Sequence, residues 1–107
     1  MTANEFRSLA LSFPEAVEAS HVGHPDFRVG GRIFATLGYP DDSFGVLMLT
    51  PEAQAEAMGR HPEVFEPAAG AWGRRGNTKV RLSKARSAQL RPWMELAWCK
   101  IAPKKLL

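Results

Sequence analysis

The chain has 107 residues, 45% hydrophobic and 23% charged, as expected for one small globular domain spanning 1–107 that needs no metal or disulfide staple. That composition excludes a disordered chain, and the single cysteine, Cys99, excludes an internal disulfide and fits a reducing cytoplasm. The net charge of +3 conceals a division: residues 1–66 hold four basic against ten acidic side chains, and residues 67–107 hold ten basic against Glu95 alone.

No window approaches the roughly 18 unbroken apolar residues of a spanning helix, and no positive segment followed by an apolar run marks a signal peptide. A soluble cytoplasmic protein with no membrane partner is expected. A basic half of this kind suits an anionic partner, nucleic acid being the commonest.

In chain order, Thr2 and Glu5 have capping-box spacing, and Phe6, Leu9, Ala10 and Phe13 form one helical stripe. Pro14 predicts that this helix stops near Ser12. Val17 to Val22 reads as a weak first strand, followed by a turn at Gly23-His24-Pro25. Asp26–Val29 and Arg32–Leu37 flank Gly30-Gly31, the signal of a two-residue hairpin. That register sets Phe27 opposite Phe34 as an aromatic pair. Phe44–Leu49 is almost continuously apolar, which predicts a central strand covered on both faces.

Thr50-Pro51-Glu52 is a helix start, with the helix running to about Met58 and ending at Gly59. His61 to Ala69 contains two prolines and reads as irregular. Trp72 is expected to end a strand and Gly73 to Asn77 to turn. Thr78 to Leu82 then alternates, with Lys79 and Arg81 on the face opposite Thr78, Val80 and Leu82. Ser83 is a candidate cap for the last helical region, where Leu90, Trp93, Met94, Ala97, Trp98 and Ile101 make the clearest apolar stripe of the chain. Pro92 predicts a kink or two helices meeting near Arg91. Trp93 and Trp98 are expected in the core.

The fold class expected is α+β: an N-terminal helix, an antiparallel sheet of about five strands with a short inserted helix, and a C-terminal helical region. Phe13-Pro14-Glu15 followed by Gly23-His24-Pro25-Asp26-Phe27-Arg28-Val29-Gly30-Gly31-Arg32-Ile33-Phe34-Ala35 resembles the signature of the small bacterial MmcQ/YjbR family. Trp72, Asn77-Thr78 and Val80-Arg81-Leu82 look like its second motif, here interrupted by Gly73-Arg74-Arg75-Gly76. The resemblance covers nearly the whole chain. It implies a fold similar to CyaY, the bacterial frataxin, and the DNA binding through a "double wing" proposed for that family. It brings no catalytic residues and no cofactor.

The site expected from the residues is a basic strand-and-loop surface for DNA. Arg74 and Arg75 sit on a Gly-hinged loop, Lys79 and Arg81 face outward on the strand after it, and Arg28 and Arg32 flank the Gly30-Gly31 hairpin as a second wing. No helix reads as a recognition helix. The alternative is a protein-interaction or small-ligand module using the sheet. Enzyme activity lacks any signature: no nucleophile elbow, phosphate loop or metal-ligand helix motif is present. Iron handling needs an acidic first helix, and this one offers only Glu5. His21, His24, His61 and Cys99 could form a metal site by count, but no metal is expected, since spacing i, i+3 in an extended segment sends His21 and His24 apart.

Overall fold

Helix α1 (Ala3–Leu11) begins with the capping box: the Thr2 hydroxyl accepts from the Glu5 amide, and the Glu5 carboxylate accepts from the Thr2 amide. These coordinates are a computed structural model covering residues 1–107. Strands β1 (Val17–His21), β2 (His24–Val29), β3 (Arg32–Leu37) and β4 (Phe44–Met48) follow as an antiparallel meander. Helix α2 (Pro51–Arg60), strand β5 (Phe65–Pro67), helix α3 (Gly70–Arg74), strand β6 (Asn77–Arg81) and helix α4 (Ser87–Ile101) complete the chain. The sheet order is β1-β2-β3-β4-β6-β5, so β6 is inserted between β4 and β5. The architecture is α+β as expected, with six strands instead of about five.

The sixth strand is β5, inside the proline-containing segment read as irregular. Its prolines do not prevent pairing, because the ladder bonds use other groups: Arg81 N–H donates to Val64 and Ala68 N–H to Asn77. Strand β4 is central, and Val46 and Leu47, on opposite faces, are both fully buried. This agrees with its unbroken apolarity.

The Gly30-Gly31 hairpin forms with Val29 opposite Arg32 and Arg28 opposite Ile33. The expected Phe27–Phe34 pair does not. Phe27 lies opposite Ala35, and Phe34 is the extra residue of a bulge. The bulge turns both Phe34 and Ala35 into the core, where regular alternation would have sent one of them to the far face. Phe27 then packs on Phe6 with ring centroids 6.1 Å apart, and Phe34 meets Phe13 edge-on at 6.3 Å.

Helices α1 and α4 cover one face of the sheet. Gly45 of β4 lies so close to Phe6 that a Cβ there would sit 2.6 Å from the ring. The stripe on α4 is buried as expected, with Trp93 and Trp98 each only 6% exposed. Pro92 does not divide the region: one helix runs from Ser87 to Ile101 with Pro92 inside it. Ser83 does not cap it either. Ser83 lies in a 3-10 turn over Leu82–Lys84, and Arg86 precedes the helix without a side-chain cap. The opposite face of the sheet has no long helix across it. It carries Asp26 and Arg28 of β2, Ile33 and Thr36 of β3, Phe44 and Met48 of β4, and Lys79 and Arg81 of β6.

Candidate functional site

The basic stretch from Trp72 to Arg86 is built differently from a hinged loop. Gly70–Arg74 is a short helix, and the following Arg75 amide donates back to Ala71 and Trp72 carbonyls. Gly73 is not a hinge but a point of close approach, where a Cβ would lie 1.8 Å from the Ala68 carbonyl oxygen. Gly76 has φ +109°, and a Cβ there would meet the Leu49 carbonyl oxygen at 2.2 Å. Gln54 of α2 donates to the Gly73 and Asn77 carbonyls, and the Asn77 amide donates to Trp72. Sequence signals of a turn therefore belong to a pinned segment. Arg74 and Arg75 project from it into solvent, with no hydrogen-bond or ion-pair partner within the chain.

Lys79 and Arg81 do share a face, as their alternation implies, but they are occupied. Both reach Glu66 of β5, Lys79 at 3.4 Å and Arg81 at 2.9 Å. Both also sit over the Phe44 ring, at 5.0 and 5.7 Å from its centroid. Arg81 adds a bond to the Glu63 carbonyl. The Lys79 side chain is only 18% exposed, so little of its charge faces water.

Arg28 forms a fork with Asp26, Nε to one carboxylate oxygen at 2.8 Å and a terminal nitrogen to the other at 3.1 Å. That bonding raises the Arg28 pKa further and leaves the 1%-exposed Asp26 carboxylate neutralised. Arg32 is exposed at the hairpin turn.

The strand pairings place the six residues relative to one another. The β2–β3 turn, the exit of β4 and the start of β6 all lie at one end of the sheet, since Met48 is opposite Asn77 and β3 runs antiparallel to β4. Arg32 and the Arg74–Arg75 pair, which immediately precedes β6, are therefore at the same end. Arg28 borders that end, and Arg81 closes the other.

Two further basic elements join it. The Lys100 ammonium donates to the Leu49 carbonyl at 3.0 Å, beside Gly76, and Gly30 packs against Pro103, next to the exposed Lys104 and Lys105. Partial burial lowers the Lys100 pKa, and repulsion from Arg32 lowers it further. Lys100, Lys104 and Lys105 thus belong to this basic end.

The same open face bears a cavity of about 520 Å³ that the sequence reading did not contain. Ile33, Met48, Tyr39 and Trp72 form its apolar wall, the two rings meeting edge-to-face at 5.4 Å. Tyr39 comes from the loop between β3 and β4 and Trp72 from α3, so only the folded sheet joins them. The four residues counted as metal ligands are not assembled. His61 contacts Gln89 of α4, Cys99 is half-buried on α4, and no group of three ligating side chains occurs. His21 and His24 are, however, directly opposite across the β1–β2 hairpin, not splayed apart.

A model of the YjbR family matches residues 11–100. The chain belongs to the YjbR family. Among solved structures, this YjbR domain is similar to a crystal structure of a Deinococcus radiodurans protein with the family domain DUF419. The TM-score is 0.77 at 20% identity, covering 97% of this chain and 80% of that one. At that identity the likeness establishes the fold. No curated protein matches the YjbR chain. No helix of the fold is long and apolar enough to cross a membrane.

Proposed function

We propose that this YjbR-family protein binds the phosphate backbone of nucleic acid, with duplex DNA as the target, through the basic end of its sheet. The observation supporting this reading is the convergence of Arg32, Arg74 and Arg75, all solvent-facing, with Lys100, Lys104 and Lys105 at one end. The contacts are to phosphate and carry no base readout, because the helix that bears Arg74, α3, is only five residues long. Lys79 and Arg81 take a minor part, since Glu66 already holds them.

Fluorescence anisotropy with a labelled duplex, at several salt concentrations, tests the reading. The double substitution Arg74→Glu/Arg75→Glu is expected to weaken binding about 50-fold near 0.1 M salt and to flatten the salt dependence by about two counterions. Its Tm should equal that of the wild type, because neither side chain has a partner to lose. Wild-type affinity and salt slope in the double variant would overturn the proposal.

A further inference from the structure

We infer that the cavity on the open face is a binding site for a flat heteroaromatic ring of nucleobase type. This inference stands on the cavity alone and does not depend on the basic sheet end. Its volume falls in the range of small-molecule sites, and its lining divides into two parts. Ile33, Met48, Tyr39 and Trp72 give an apolar wall in which the two aromatic planes stand at 74°. An edge-to-face pair of this kind leaves ring surface free for stacking. Both rings are only half-buried, so that surface is within reach.

The other part is polar and sparse. His21 and His24 present imidazoles from opposite positions on the hairpin, and both are exposed. Thr36 is also a lining residue, but its unpartnered hydroxyl is closed off from the cavity, so the imidazoles are the polar groups a ligand meets. Asp26 also lines the cavity, but both of its oxygens already accept from Arg28. A free cation therefore finds no unpaired carboxylate there.

These features select the ligand class. A purely apolar molecule makes no use of the two imidazoles, and a sugar needs more polar partners than they supply. A planar ring with a hydrogen-bonding edge satisfies both parts. The hairpin holding the histidines is also strained: Val22, between them, has φ +51° in a region that β-branched residues avoid. A turn kept in that conformation fixes the two imidazoles in register over the cavity.

Uncharged nucleosides separate this inference from backbone binding. Adenosine, guanosine, cytidine and uridine are titrated in turn into the full chain, following the imidazole resonances of His21 and His24 and the indole resonance of Trp72. At least one nucleoside is expected to shift all three saturably at millimolar concentration. Tyr39→Ala should weaken that binding about tenfold, while Arg74→Glu/Arg75→Glu leaves it unchanged. Absence of shifts from all four nucleosides in the wild type, which needs no variant to fold, would overturn the inference. So would equal binding by folded Tyr39→Ala.

A short single-stranded oligonucleotide then distinguishes the source of the ring. Affinity no better than the nucleoside identifies a free small molecule. Tighter binding that falls to the nucleoside level in Arg74→Glu/Arg75→Glu identifies a base carried on a strand. Both results require the ring site.

Discussion

Arg74 and Arg75 differ from Lys79 and Arg81 in a way that their shared basic stretch conceals. The first pair leaves a pinned segment and meets only water. The second pair lies on the sheet, shares one carboxylate and covers one phenyl ring. Four cationic side chains within eight positions thus make two unlike surfaces. Net charge per segment counts them alike, whereas the field outside the protein is set by those that Glu66 does not reach. Pairing partners, more than composition, decide which cations of a basic run are available.

The contrast can be broken most forcefully at Gly73. Gly73→Ala places a methyl group on the Ala68 carbonyl and should unseat α3, costing about 3 kcal/mol and lowering Tm on the order of 15 °C. If the position of Arg74 and Arg75 matters, duplex binding measured well below that Tm falls as well, although no charge has changed. Gly59→Ala serves as the control. Gly59 lies in α2 with open space around it, and alanine there should stabilise by about 0.5 kcal/mol and leave binding alone.

Glu66→Gln tests the other side of the contrast. Removing the shared carboxylate should change stability by less than about 0.5 kcal/mol, because the three side chains are partly exposed and their pairing is screened by water. Duplex affinity should rise several-fold, and its salt dependence should steepen by about one counterion. Unchanged affinity would show that Lys79 and Arg81 are turned away from the partner for a reason other than their pairing.

The smallest effect expected is at Lys100. Its folded pKa lies below the ordinary 10.5, first from desolvation and then from Arg32. The folded state therefore binds fewer protons than the unfolded chain between those two values, and stability rises with pH across that window. Arg32→Gln should move the Lys100 pKa upward in an NMR titration. No movement would mean that the two cations do not belong to one basic end.

Much of the fold was legible because local chemistry and tertiary packing agree. The capping box at Thr2, the proline at the start of α2, the Gly30-Gly31 hairpin and the Leu90–Ile101 stripe all name their elements. The failures share a physical cause. Phe34 was misplaced because a bulge, which period-two alternation does not encode, lets it join Ala35 in the core. Gly73 was read as a hinge because a glycine needed for close approach looks the same in sequence as one needed for freedom.

The charged residues of the candidate surface were all visible, but their division was not. Glu66 sits between prolines, with nothing to announce a strand that carries it to Lys79. The cavity was less legible still: Tyr39 and Trp72 are 33 positions apart in the sequence, and His21 and His24 were separated by a spacing argument that a two-residue turn reverses. The YjbR signature located Trp72 without indicating what it would face.

The short strand β5 bears on how this sheet meets another backbone. On its outer side the Phe65 amide is already given to His61, and Pro67 has no amide to give. That rim offers no donor to an incoming chain. The opposite rim, β1, is five residues long, with Val17 exposed and only the Arg7–Glu18 pair guarding its approach. A peptide or second molecule that takes backbone donors from the sheet edge therefore docks alongside β1, the strand that carries His21 of the cavity lining.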